Sequence, residues 1–145
     1  MAKVEEVTNF DNYWTDSRFQ NKKPVMNGSF KTVYGDNIYH RDGDLWIQAN
    51  SHHSKEDGLV NHANLARDTG ITDQVLICPR FFYLGTAMID FAGLFPSCVH
   101  YGIGHHIVPE EDCLALWQYL EQIYPKGGLI DYPNLFRAFT RYNGK

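Results

Sequence analysis

The sequence predicts an α+β fold: a small, mainly antiparallel sheet of four or more strands, with an amphipathic helix from the C-terminal part packed on it. Three observations carry this expectation. Two β-favouring runs flank the Asp42-Gly43 turn, two more flank Pro79, and apolar residues between 109 and 124 recur at three- and four-residue intervals.

Taken in order, residues 1–35 show little periodicity but many aromatic and turn-forming residues, among them Phe10, Tyr13, Trp14, Phe19, Pro24 and Gly28. They read as an irregular N-terminal arm within one domain that spans residues 1–145. Asn37-Ile38-Tyr39-His40 and Leu45-Trp46-Ile47-Gln48 enclose Asp-Gly, the strongest short hairpin signal. The second of these strands runs directly into Ser51-His52-His53-Ser54. Asn61 to Arg67 fits a short helix ending at Asp68-Thr69-Gly70. Val75-Leu76-Ile77 and Phe81-Phe82-Tyr83 read as two buried strands joined by a tight proline turn. Pro109 suits the first position of the 109–124 helix, Glu110, Glu111 and Asp112 complement its positive end, and Pro125 with Gly127-Gly128 stops it. Cys113, Leu116, Trp117, Leu120 and either Ile123 or Tyr124 form its inner face. A further short helix is expected over 133–140.

The composition narrows the function classes. A chain of 145 residues with 43% hydrophobic and 21% charged residues is an ordinary globular sequence. Its net charge of −4 argues against tight binding of duplex DNA, which needs a basic face to release counterions. Cys78, Cys98 and Cys113 form no CxxC pair, so they read as buried thiols in a reducing compartment. No run approaches the ~18 apolar residues of a membrane span, and the first residues do not read as a signal peptide. The expectation is a cytoplasmic protein without membrane contact.

Five of the seven histidines stand in two clusters, His52-His53 and His100 with His105-His106. Imidazole is the side chain best suited to proton transfer or metal binding near neutral pH. On an extended segment, neighbouring histidines point to opposite sides, so each adjacent pair would offer one ring to a pocket that the two clusters share. Asp57 and Asp68 flank the first cluster, where a carboxylate could orient an imidazole. The candidate catalytic residues are therefore His52, His53, Asp57, Asp68 and His105. One histidine of each cluster with Asp57 or Asp68 could also bind zinc or iron, and His40-Arg41-Asp42 with His100 or His105 could mimic an iron oxygenase triad. No known ligand spacing accompanies either set, so the sequence names no metal and no cofactor. Gly102 and Gly104 would let backbone approach a phosphate, and Arg18, Lys22 and Lys23 form the densest basic cluster.

The sequence resembles the phage and bacterial family called nucleotide modification associated domain 2. The resemblance rests on Arg18-Phe19-Gln20 with Lys23-Pro24, on Tyr34-Gly35-Asp36-Asn37-Ile38-Tyr39-His40, and on Trp46-Ile47-Gln48 leading into Ser51-His52-His53-Ser54 and Asp57-Gly58. It continues through Asn61 with Asn64, Arg67-Asp68-Thr69-Gly70, Val75-Leu76-Ile77, Phe82-Tyr83 with Gly85, and Gly104-His105. Within these stretches Arg18, Lys23, Tyr39, Ser54, Asn61 and Asn64 are candidate ligand contacts, together with Gly102 and Gly104. The resemblance implies an association with nucleotide or DNA-base modification. Taken with the histidine and aspartate candidates, the expectation is a protein that binds a nucleotide or modified nucleobase, acts on it by histidine and aspartate proton transfer, and forms a homodimer. Two alternatives stand beside it: a non-catalytic protein that sequesters a nucleotide, and an accessory subunit of a modifying enzyme.

Overall fold

The computed structural model describes residues 1–132, so the short helix expected over 133–140 lies outside the described residues. In chain order the elements are β1 (Ala2–Lys3), β2 (Glu6–Thr8), α1 (Phe10–Thr15), a 3-10 stretch over Ser17–Lys22, α2 (Phe30–Val33), β3 (Tyr39–Asp42) and β4 (Leu45–Gln48). There follow α3 (His62–Thr69), β5 (Val75–Ile77), β6 (Arg80–Tyr83), α4 (Phe91–Leu94), a 3-10 turn over Pro96–Cys98, α5 (Glu110–Ile123) and β7 (Gly128–Leu129). The protein is α+β. Among the described residues, Glu5–Ile77 form one compact unit, and Met1–Val4 with 78–132 form another.

In the first of these units β3 and β4 pair as the expected hairpin, with Tyr39 opposite Gln48 and Asp42 opposite Leu45. Gly43 takes φ +59° at the first loop position and Asp44 does not have positive φ, the pattern of a type II′ turn. β2 pairs antiparallel with β5, Val7 lying opposite Leu76. The helix α1 is tied to β3 by the Asp11 carboxylate, which accepts from the Arg41 backbone N–H at 2.6 Å. Asn61 caps α3, its side chain accepting from the Asn64 N–H, and Gly70 ends the helix as the sequence indicates.

In the other unit β6 lies between β1, its antiparallel partner, and β7, which runs parallel to it. Phe82 of β6 forms a buried cluster with Leu116 and Leu120 of α5. Full burial of one such leucine contributes about 1.5–3 kcal/mol. On α5, Leu116 and Leu120 are buried and Trp117 and Tyr124 pack against the cluster, so of the two expected alternatives Tyr124, and not the exposed Ile123, continues the inner face. Pro109 caps the helix instead of entering it.

Two expectations are corrected. β5 and β6 do not pair with each other: Cys78-Pro79 has neither a glycine nor a positive φ, which the short hairpin turns require, so each strand pairs with a segment of the N-terminal region. The described strands consequently form sheets of three, two and two strands, with none of four. Residues 1–35, expected to be irregular, hold β1, β2, α1, the 3-10 stretch and α2. Segments of two to six residues are too short to show a period, and their order comes from caps and pairing instead. Asn9 caps α1, for example, and the Asp16 side chain accepts from Arg18 N–H at the start of the 3-10 stretch.

Candidate functional site

The unit built on Glu5–Ile77 has an unusually polar interior. Asn37, Gln48, Ser51, Ser54, Asn61 and Asn64 are all buried, whereas its buried hydrophobic residues are Tyr13, Ile38 and Tyr39. Burial of amides and hydroxyls is tolerated where they are hydrogen-bonded. Asn37 Nδ2 donates to the Tyr13 carbonyl at 2.9 Å, and the others bond one another or nearby backbone. Asn37 Oδ1 and Asn61 Nδ2 have no partner among the described residues. Gln48 accepts from the Asn61 N–H at 2.7 Å and donates to the Tyr39 hydroxyl and the His53 carbonyl, each at 3.4 Å. Tyr39 in turn donates to Asp68 Oδ2 at 2.8 Å, and Asn64 Nδ2 donates to the His53 carbonyl at 2.8 Å. Tyr39, His53, Ser54, Asn61, Asn64 and Asp68 thus belong to one neighbourhood, with Gln48 at its centre. Gln48 had no functional reading in the sequence, although its inward position in the alternating strand β4 was a usable signal.

The histidine pair departs from the expected extended geometry. Ser54 N–H donates to the Ser51 carbonyl at 3.1 Å, which makes His52 and His53 the two central residues of a turn. Ser51 and Ser54, both 0% exposed, close it: Ser54 Oγ donates to the Ser51 carbonyl at 2.7 Å, and Ser51 Oγ accepts from the His53 N–H at 3.2 Å. A turn does not alternate its side chains, so both rings lie together, their centroids 3.8 Å apart. Tyr34 adds a third ring, 4.9 Å from His52.

Electrostatics divide these groups. Burial lowers the pKa of His52, and the neighbouring His53 lowers it further. Burial pulls Asp68 upward, but the hydrogen bonds from Arg67 and Tyr39, with the charges of Arg67 and His53, outweigh it and hold the carboxylate below its usual range. Burial, then the hydrogen bond and charge of Asp68, push the Tyr39 phenol far above its ordinary value. Asp68 is therefore a fixed anion near neutral pH, within reach of the His53 charge. Asp57 is exposed and its carboxylate accepts from the Leu59 N–H at 3.0 Å, so it closes the next turn.

Beside this network lies a cleft of about 510 Å³, lined by Asn21, Lys22, Lys31, Thr32, Tyr34, Gly35 and Asp36. Asp36 Oδ1 accepts from the Tyr13 hydroxyl at 3.0 Å. Gly35 lets the chain pass close to Lys22-Lys23-Pro24, and Asn37 N–H donates to the Lys22 carbonyl at 3.1 Å. The sequence pointed to Lys22 as part of the basic cluster, but to neither Tyr34 nor Asp36 as a lining residue. A glycine set between an aromatic residue and a carboxylate was the available clue.

The remaining candidates have surroundings of their own. Arg18 is held by Glu6 and Asp16 at 2.8 and 2.7 Å, and Lys23 Nζ stands 3.7 Å over the Trp14 ring. Gly102, Gly104, His100, His105 and His106 are exposed residues of the other unit, where the His100 and His106 rings are 4.8 Å apart and His106 Nε2 lies 3.0 Å from the Ser97 carbonyl oxygen. His40 is stacked on Trp14 with centroids 4.1 Å apart, and Asp42 belongs to the hairpin end. Among the described residues, no group of three His, Cys, Asp or Glu side chains is arranged to hold a metal ion. The three cysteines are half-buried free thiols. No described helix is long and apolar enough to cross a membrane.

His40 supplies a pH prediction. Its buried Nδ1 has no hydrogen-bond partner among the described residues. Burial lowers its pKa, Asp11 and Asp42 oppose this, Lys23 adds to it, and the net shift is downward. As pH falls, the unfolded chain therefore takes the proton first. The contribution of His40 is intact above the ordinary histidine pKa of ~6.5 and is lost as pH drops toward the lowered folded value. His40→Gln should flatten the dependence of urea stability on pH from the ordinary histidine pKa of ~6.5 downward. A slope identical to that of the wild type would remove His40 from this account.

Tyr34 thus connects the paired imidazoles to a cleft that carries both lysine and aspartate side chains. A family model described as nucleotide modification associated domain 2 matches residues 1–139, and the chain belongs to that family. The family's description associates it with nucleotide modification. No curated protein matches the chain, and no solved structure does.

Proposed function

We propose that the unit built on Glu5–Ile77 binds a nucleotide or modified nucleobase in the cleft beside Tyr34, and that His52 and His53, with Asp68 as the fixed anion, move protons on it. The observation that carries this reading is the position of Tyr34. Its ring lines a cleft of about 510 Å³ and lies 4.9 Å from His52, so a base stacked there would be next to the imidazole pair. Pockets for small ligands run roughly 300–1,000 Å³, and an aromatic ring is a general platform for bases. The cleft found in the other unit, about 130 Å³ beside Arg80 and Trp117, falls well below that range.

The chemistry follows from the charge states. His52, with its lowered pKa, is neutral near pH 7 and suited to accept a proton. Asp68, held ionised, can balance the positive charge that forms on the imidazole pair when a proton is taken up. Calorimetry against a panel of nucleosides and nucleotides should find a binder, and Tyr34→Ala should weaken it by on the order of tenfold. If no member of a broad panel gives heat or raises the melting temperature, the reading falls. Binding without turnover would instead favour a sequestering protein.

A further inference from the structure

The distribution of cations narrows the form of the ligand. Each of the four arginines among the described residues is ion-paired: Arg18 with Glu6 and Asp16, Arg41 with Asp11 and Asp73, Arg67 with Asp68, and Arg80 with Glu121. Lys23 is placed over Trp14. Lys22 and Lys31, by contrast, line the cleft and have no ion pair among the described residues. Lys3, Lys55 and Lys126 have none either, but Lys22 and Lys31 stand at one cleft, the one that Tyr34 lines.

A nucleic-acid strand carries a charge every ~3.4 Å and is held by a row of cations that follows it. Here there is one lysine pair, and the same cleft contains Asp36, whose carboxylate repels a second phosphate. The Tyr13 hydroxyl occupies Asp36 Oδ1 and leaves Oδ2 as an acceptor for a sugar hydroxyl or an amino group. A lysine pair for one phosphate, a ring for one base and a carboxylate for neutral donors together describe a single nucleotide.

We infer that the cleft takes a free mononucleotide, recognised through its phosphate by Lys22 and Lys31, and not a base within a strand. This rests on the nucleotide reading above and goes beyond it in naming the form of the ligand. Calorimetry at near-physiological salt would compare the 5′-monophosphates of the common nucleosides with the nucleosides themselves, with a short single strand and with random duplex. The expected result is that one monophosphate binds on the order of tenfold or more tighter than its nucleoside, and no more weakly than the strand or the duplex. The folded K22Q/K31Q double variant should then bind that monophosphate no better than the nucleoside. Equal affinity of nucleoside and monophosphate would overturn the inference while leaving base binding intact, as would tighter binding of either polymer. A double variant that keeps the full phosphate preference would overturn it too. Absence of binding by every probe would remove both this inference and the nucleotide reading.

Discussion

Gly35→Ala is expected to abolish measurable nucleotide binding and to destabilise the fold by about 1–3 kcal/mol, the usual cost of overpacking. A Cβ at residue 35 would stand 2.6 Å from the Pro24 nitrogen and 2.7 Å from the Lys23 carbonyl carbon, with the Lys22 carbonyl oxygen nearer still. All three are main-chain atoms, so no side chain can rotate away. The chain must separate at 22–24 or at 35, and both segments border the cleft. Gly35 does not have positive φ, so the requirement is for space and not for an unusual backbone conformation. Gly43 provides the contrast: its φ is +59°, yet a Cβ there would meet nothing within 4 Å. Gly43→Asn should therefore cost less than Gly35→Ala and leave ligand affinity unchanged, because asparagine tolerates the left-handed region. Chemical denaturation and calorimetry on both variants decide it. Wild-type stability and affinity in Gly35→Ala would show that the backbones are not packed as described.

What could be read in advance follows the range of the interactions. The β3–β4 hairpin depends on Asp-Gly, and α3 on the Asn61 cap and the Gly70 stop, all of them local chemistry. α5 is long enough for its period to show. The pairing of β2 with β5 and of β1 with β6 joins residues about seventy or more positions apart through strands of two to four residues, and no window of sequence contains that information. The site was half legible for the same reason. His52, His53, Asn61, Asn64 and Asp68 fall within a span of seventeen residues, and their neighbourhood was expected. Asp57 was expected to share it, but its local turn with Leu59 takes the carboxylate instead. Tyr34, Lys31 and Asp36 reach the site only through the folding of the N-terminal segment, which showed no periodic pattern.

The error over the histidine pair leads to the second large expected effect. Reading Ser51 to Ser54 as extended chain placed the two imidazoles on opposite faces, whereas serine at both ends of a four-residue segment was itself a turn signal. Ser54 carries most of that closure. Its hydroxyl accepts from the Ser51 N–H at 3.1 Å, donates to the Ser51 carbonyl at 2.7 Å and lies 3.2 Å from Asn50 Oδ1, all at a fully buried position. Ser54→Ala would leave the buried Ser51 N–H without its acceptor, and orphaning such a donor costs about 1–3 kcal/mol. Loosening the turn would also separate the His52 and His53 rings. Asp57→Asn is the matched control three residues away: Asp57 is exposed, and asparagine keeps a carbonyl oxygen for the Leu59 N–H. Urea denaturation should show a marked loss for Ser54→Ala and almost none for Asp57→Asn. Histidine ring resonances followed by NMR should show the His52 pKa rising toward its ordinary value in the serine variant, since burial and the neighbouring His53 are what lower it. If the His52 titration is unchanged while stability falls, the turn does not hold the two rings together, and their pairing must come from elsewhere in the polar network around Gln48.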